Sequence, residues 1–159
     1  MHAARGFSLI ELVTVLVLIG ALAVFAVPRL STSGFAGYSF HEELLAVVRH
    51  AQKTATASRC EIKVTVKDTD DSYKIEYTGA GPDECPAPDK LLSAPGRGGD
   101  LTSKAPGSVD INQGATFIFD GFGVPKSVSP PPEITTTTTI KINNRRLVEI
   151  EALTGYVHD

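Results

Sequence analysis

The sequence predicts an α+β protein in which a long N-terminal membrane helix is packed on an antiparallel β-sheet body. The first observation is an apolar block over residues 7–27, which is followed by a stretch with the three- and four-residue period of an amphipathic helix. The second is a change to a two-residue period beyond Cys60, as in strands with one buried face. The length of 159 residues corresponds to about one domain.

The composition excludes several classes of protein. Hydrophobic residues make up 42% and charged residues 21%, which rules out a disordered polyampholyte and a membrane protein with many spans. The net charge of −3 argues against a nucleic-acid partner bound by phosphate neutralisation. The 14 Gly and 10 Pro, with no Trp, suit a body rich in loops and strands.

The apolar block has 21 residues, of which only Ser8, Glu11 and Thr14 are polar. As a helix it would be about 31 Å long, close to the roughly 30 Å hydrocarbon core of a bilayer. Arg5 precedes it, and positive charge ahead of a single span keeps the N-terminus in the cytoplasm. The rest of the chain is therefore expected to fold outside the cytoplasm.

Two ordinary interpretations of this block leave one residue unexplained. It can be a cleaved secretory signal, with residues 12–19 as its apolar region and Ala21-Leu22-Ala23 as a small-x-small cleavage site, or a plain signal anchor. Neither accounts for Glu11. A carboxylate costs about 2.5–3.5 kcal/mol at the centre of a membrane helix and less near its end, which makes it a functional candidate.

Residues 5–12, Arg-Gly-Phe-Ser-Leu-Ile-Glu-Leu, resemble the type III signal of type IV pilins and type II secretion pseudopilins. That signal has a short basic leader ending in glycine, then phenylalanine, and a glutamate at the fifth position of the remaining chain. Gly6, Phe7 and Glu11 match it one by one. The resemblance implies a pilin-like fold and a structural subunit, and no enzyme.

The resemblance also implies how the chain is divided and processed. Its parts would be a leader over residues 1–6, a transmembrane and assembly helix over residues 7–30, and an extracytoplasmic β-rich domain over residues 31–159. A prepilin peptidase would cut between Gly6 and Phe7 and methylate the new amine of Phe7. The subunit would be stored in inner-membrane lipid, N-terminus in the cytoplasm and body in the periplasm, and then join other pilin or pseudopilin subunits in an extracytoplasmic fibre.

Glu11 gains a role under this interpretation. In a helical array it can meet the Phe7 amine of a neighbouring subunit, so that two poorly solvated charges neutralise each other. At 4 Å and an effective dielectric constant of 20, the Coulomb energy is about 4 kcal/mol before desolvation. Such a pair sets register more than it adds net stability. The alternative is an interfacial glutamate that snorkels or stays protonated.

Gly20 and Pro28 mark the weakest part of the apolar helix. Glycine costs about 1 kcal/mol in a helix interior, and proline removes a backbone hydrogen bond. In related pilins this stretch can loosen when subunits enter the fibre, although glycine and proline are also common in ordinary membrane helices.

A second helix is expected over residues 40–58. Residues 31–38 hold two glycines and several hydroxyl side chains, which predicts a bend or short break there. Ser39 and Glu42 then form the pattern of a capping box. The apolar residues that follow recur at helical spacing: Phe40, Leu44, Val48, Ala51 and Ala55. This stripe should face a sheet.

Period-two segments predict the strands of the body. The first two lie at residues 62–67 and 73–77, joined by a hairpin loop over residues 68–72. Residues 79–107 are rich in Gly and Pro, which predicts a long surface loop. Later strands are expected at residues 109–112, 116–120, 135–142, 147–152 and 156–158, with turns at Asn143-Asn144 and Thr154-Gly155.

The body carries a second, looser resemblance, to minor pseudopilins of the H type and to minor pilins of the MSHA type. Three segments and one cysteine carry it: residues 44–53, Cys60, residues 117–125 (FIFDGFGVP) and residues 154–157 (TGYV). Within the first segment, Arg49 is expected to be a solvated helix residue.

Cys60 and Cys85 are expected to form a disulfide, because the body is predicted to lie where disulfides persist. The bridge would tie the helix–strand junction to the long loop and stabilise the fold by about 3.5 kcal/mol on the chain-entropy account. One or two free buried thiols are the alternative.

The sequence predicts no catalytic residue, metal site or cofactor. His41-Glu42 begins like a zincin helix, but Leu45 stands where the second histidine belongs. The aspartates of residues 68–71 suit a solvated hairpin tip better than a calcium site. Two function classes remain: a fibre subunit, and a secreted or membrane-anchored β-rich binding domain with an ordinary signal sequence.

Overall fold

The computed structural model describes residues 8–26, 32–96, 98–130 and 133–159. The chain divides into two compact units, Met1–Gly34 and Phe35–Asp159. The elements follow in the order α1 (Leu9–Ala26), α2 (Thr32–Ser58), β1 (Ile62–Lys67), β2 (Ser72–Tyr77), β3 (Thr102–Lys104), β4 (Ile111–Gln113), β5 (Ala115–Phe119), β6 (Pro125–Ser127), β7 (Thr138–Ile142), β8 (Arg146–Ile150) and β9 (Val157–His158).

The first unit is the apolar helix α1. It begins after Ser8, whose carbonyl accepts hydrogen bonds from the amides of Glu11 (3.0 Å) and Leu12 (3.2 Å). Every side chain from residue 8 to residue 22 is exposed, on all sides of the helix. Across the described ranges, no helix combines the length and the apolar character that crossing a membrane requires.

The helix α2 starts earlier than the sequence predicts. Thr32–Ser58 is one helix, so the expected break is wrong for residues 32–38, and Ser39 lies inside the helix rather than at its cap. A Cβ on Gly37 would lie 2.7 Å from the Asn143 Nδ2, so glycine lets the β7–β8 turn approach the helix. Such tertiary contact outweighs a glycine cost of about 1 kcal/mol. Residues 27–31 lie outside the described part.

The strands form two antiparallel sheets, which confirms the α+β fold class. The first sheet has the order β3-β2-β1-β5-β6 and the second β4-β7-β8-β9. In the first sheet Val64 pairs with Ile75 on one side and Phe117 on the other. The predicted hairpin between β1 and β2 is present, and so is the turn at Asn143 and Asn144, whose φ angles of 50° and 55° suit a two-residue β-turn.

One core joins α2 to both sheets. The predicted stripe of α2 is buried, each residue at most 2% exposed: Phe40, Leu44, Val48, Ala51 and Ala55. The sheets contribute alternate residues of their strands: Ile62, Val64, Ile75, Phe117 and Phe119 from the first, and Ile140, Ile142, Val148 and Ile150 from the second. Burying a side chain of this size stabilises the fold by about 1.5–3 kcal/mol.

The segment of residues 79–107 is not wholly a surface loop. Leu92 and Leu101 are buried, at 3% and 6% exposure, and β3 extends the first sheet from within the segment. The Leu92 amide donates to the Ile75 carbonyl at 2.9 Å. These contacts join residues that are distant in sequence, so they leave no local periodicity. The strand β6 was also not predicted, and β7 begins at Thr138 rather than at residue 135.

Candidate functional site

The leader residues that the sequence predicts as the processing site lie outside the described part. Gly6 and Phe7, the expected cleavage and methylation positions, belong to residues 1–7, and Pro28 falls in residues 27–31. Their roles stay predictions. Glu11 and Gly20 lie within α1 and can be placed.

Glu11 lies in the first turn of α1, with an exposed side chain. A negative charge is favourable there because the N-terminal end of a helix carries a partial positive charge. Ser8 and Glu11 have the spacing of a capping box, although in the structure neither side chain accepts a hydrogen bond from the other residue's backbone amide. Among the described residues Glu11 has no ion-pair partner, so its carboxylate is accessible to a group from another molecule.

Gly20 lies in the interior of α1. A Cβ built at Gly20 would have no described atom within 4 Å. Packing within the described residues therefore gives no reason for glycine at this position. Its predicted part in loosening the helix stays a prediction.

A disulfide joins Cys60 and Cys85, with 5.6 Å between the two Cα atoms. Cys60 is 4% exposed and lies two residues beyond the end of α2. The loop packs closely at this point: a Cβ on Gly81 would lie 2.7 Å from the Cys85 Sγ and 2.8 Å from the Arg59 carbonyl oxygen. The bridge holds the loop against the junction between α2 and β1.

The three segments of the second resemblance converge at one end of the body. The Gln52 amide on α2 donates to two carbonyls, that of Gly123 at 3.1 Å and that of Thr154 at 3.2 Å. Arg49, which the sequence predicts to be solvated, is instead half-buried and donates from Nε to the Val157 carbonyl at 3.1 Å. The prediction for Arg49 is therefore wrong, because its side chain binds β9, while Gln52 holds the β5–β6 and β8–β9 turns.

Asp120 organises the β5–β6 turn. Its Oδ1 accepts hydrogen bonds from the amides of Phe122 and Val124, both at 2.9 Å, and Lys126 Nζ lies 3.2 Å from Oδ2. Burial alone would raise the pKa of Asp120, but the two amides and Lys126 lower it below its ordinary value. A sequence signal for this role was present, because Asp-Gly-Phe-Gly is rich in turn-forming residues.

The two turns present exposed apolar side chains. Phe122, Leu153 and Tyr156 are 76%, 85% and 62% exposed. A cavity of about 480 Å³ lies beside them and is lined mainly by apolar atoms, with Pro125, Ile134 and Leu153 among its walls. In the described part of the chain, no three His, Cys, Asp or Glu side chains lie close enough together to hold a metal ion. This end of the body therefore presents an exposed apolar surface that another molecule can contact.

His41, the start of the zincin-like pattern, has a structural role. It is 4% exposed, and its Nε2 lies 2.9 Å from the Leu147 carbonyl oxygen, to which it donates. The contact joins α2 to β8.

Residues 1–27 match the family model of the prokaryotic N-terminal methylation motif. This motif is the signature of type IV pilins and pseudopilins, so the resemblance predicted from Gly6, Phe7 and Glu11 is confirmed. No curated protein and no solved structure matches the chain. The narrower resemblance to H-type and MSHA-type subunits stays a prediction.

Proposed function

We propose that the chain is a minor pilin or pseudopilin, a structural subunit of a type IV pilus or a type II secretion pseudopilus. The observation that carries this proposal is the methylation motif over residues 1–27. A prepilin peptidase cuts the Gly6–Phe7 peptide bond and methylates the Phe7 amine. The subunit then waits in the inner membrane, with its N-terminus in the cytoplasm and its body in the periplasm.

The surface of α1 supports assembly through this helix. Its large apolar side chains are exposed over residues 9–22; Leu9 and Leu22, for example, are 80% and 69% exposed. A helix that is apolar on all sides needs lipid or other helices around it. Membrane storage followed by insertion among the helices of other subunits provides both environments in turn.

Glu11 is the residue that sets the register of assembly. Its carboxylate lies in an otherwise apolar surface and has no ion-pair partner in the described chain. The methylated amine of Phe7 on a neighbouring subunit supplies the opposite charge. Pairing neutralises both charges in a poorly screened site. Because the two groups meet at one axial offset between subunits, pairing favours that offset.

Incorporation of Glu11 variants into fibres tests this role. Glu11→Gln keeps the capping-box pattern with Ser8 and removes the charge, whereas Glu11→Ala removes both. We expect both variants to be processed and folded but recovered poorly with fibre components. Thr14→Val is the matched control, one turn further along α1, and should be recovered like the wild type. Wild-type recovery of Glu11→Gln would show that the charge is not needed and would overturn the role of Glu11.

A further inference from the structure

The start of α2 and the β7–β8 turn form an exposed surface of the body. We call it the aromatic–arginine face and define it as Phe35, Tyr38, Arg145 and Arg146. The two aromatic side chains are 76% and 50% exposed. Neither arginine takes part in an ion pair among the described residues. The face therefore combines uncovered aromatic area with two guanidinium groups that are available to an outside ligand.

This face is held in place by packing. The Arg146 guanidinium lies over the Tyr38 ring, 5.1 Å from its centroid, in a cation–π contact. The neighbouring contacts of Gly37 with Asn143 and of His41 with Leu147 fix the β7–β8 turn against the helix. The Arg146 guanidinium and the Tyr38 ring thus keep one fixed arrangement.

The exposed aromatic residues are confined to one end of α2. Phe35, Tyr38, Ser39 and Glu42 are exposed, and each of them is three or four residues from two of the others, so they share one side of the helix. Only the first two of these positions are aromatic, and the side chains that follow are polar. The exposed aromatic area of this side is therefore restricted to the first turns of α2.

Chain length restricts how far this face can be from α1. Five residues separate Ala26, the last residue of α1, from Thr32, the first of α2. Six Cα–Cα steps reach at most about 20 Å. Tyr38 lies about 9 Å further along the helix. A bilayer that holds α1 is therefore within reach of the aromatic–arginine face.

The chemistry beside the face suits a phospholipid headgroup. His41, both arginines, Leu147 and Asp159 line a cavity of about 290 Å³. The arginines can bind the phosphate, while the Asp159 carboxylate can accept from a headgroup ammonium or hydroxyl. A headgroup supplies both the anion and the donor that these residues require.

We propose that the aromatic–arginine face enters the headgroup layer of the membrane that holds α1, with Phe35 and Tyr38 at the interface and the arginines on lipid phosphates. The inference rests on the proposed membrane storage. Aromatic side chains are favoured at the membrane interface, and arginine reaches phosphates with a fork of donors. Docking would hold the body against the bilayer before assembly.

A single tryptophan reports on this docking, because the chain has no Trp of its own. The full chain is reconstituted in vesicles of phosphatidylethanolamine and phosphatidylglycerol that include brominated lipid as quencher. We expect Tyr38→Trp, and Phe35→Trp as a second reporter, to be quenched. Phe122→Trp is the matched control and should not be quenched. In the wild-type chain the Phe122 ring stacks with the guanidinium of Arg59. Arg59 is 21 residues from Tyr38, a separation of about 30 Å along the axis of α2.

The arginines provide the second arm of the test. The pair Arg145→Gln and Arg146→Gln should reduce quenching of Tyr38→Trp to the level of the Phe122→Trp control, whereas the two lysine replacements should preserve most of it. Unchanged quenching in the glutamine pair contradicts the proposal. A glutamine pair that loses fibre recovery while its quenching stays intact also contradicts the proposal, and would indicate an acidic protein partner instead.

Flotation of the same vesicles separates this inference from the proposed function. A chain that floats with the vesicles but shows no quenching at residues 35 and 38 overturns the docking alone. A chain that does not float overturns membrane storage, and the docking with it.

Discussion

Glu76 is a buried carboxylate, 3% exposed, on the side of β2 opposite the core residues Tyr73 and Ile75. The ammonium groups of Lys63 and Lys74 contact its two oxygens. Burial alone would raise the pKa of Glu76, but the hydrogen bonds and charges of the two lysines outweigh it and lower the pKa. The folded state therefore favours the ionised carboxylate.

Glu76→Gln should make the body less stable at neutral pH by about 1–3 kcal/mol, because two lysines lose their charged partner. The contribution of Glu76 is fully present above the unfolded pKa of about 4.3 and is lost as the pH falls through the lower folded pKa. The difference between variant and wild type should therefore shrink toward about pH 3. Urea unfolding of the full chain in detergent at both pH values measures it.

Glu84→Gln, at an exposed position, is the control and should match the wild type at neutral pH. A Glu76→Gln variant that is equally stable at neutral pH would contradict the role assigned to the carboxylate.

Several residues have roles that their local sequence does not reveal. Arg49 was predicted to be a solvated helix residue, yet Arg49 and Gln52 both bind carbonyls more than 70 residues away. Their partners are main-chain carbonyl groups. Every residue type has this group, so no sequence pattern marks the partners. Glu11 is different, because a carboxylate inside an apolar run is unusual in sequence alone.

The β5–β6 and β8–β9 turns fit closely against each other. Gly155 has a φ of 66°, a left-handed conformation that strains other residues. A Cβ at Gly155 would also collide with the Gly123 carbonyl oxygen and lie 2.7 Å from the Gln52 Nε2. Glycine is thus required here both by conformation and by space.

Gly155→Ala should destabilise the body by about 2 kcal/mol or more, since strain and collision add. Gly107→Ala is the matched control, because a Cβ there has no described atom within 4 Å and the φ of Gly107 is ordinary. Thermal unfolding followed by circular dichroism compares the two variants. Equal melting temperatures would contradict the close contact between the turns.

At the scale of helices and strands, elements with a strong hydrophobic period could be predicted from the sequence, whereas short elements could not. The buried stripe of α2 and the alternation in β1 and β2 are visible in the sequence because one face of each element is buried. The strands β3 and β6 have three residues each, too few to show alternation. The start of α2 at Thr32 depends on the β7–β8 turn, which lies more than 100 residues further along the chain.

The whole molecule consists of an apolar helix with exposed sides and a body with its own core. The body is held by the packing of α2 on two antiparallel sheets and by the Cys60–Cys85 disulfide. The α+β class was predictable because each part has its own periodicity. The proposed function rests on the N-terminal methylation motif over residues 1–27.

The mature N-terminus tests the central claim most directly. The chain is co-expressed with a prepilin peptidase, and its mass and first residue are measured by mass spectrometry. We predict a chain of 153 residues that begins with Phe7 and carries one added methyl group, and uncut protein for Gly6→Val. Cleavage after Ala23, or maturation of the Gly6→Val variant to the wild-type mass, would contradict the proposal that this chain is a pilin-type subunit.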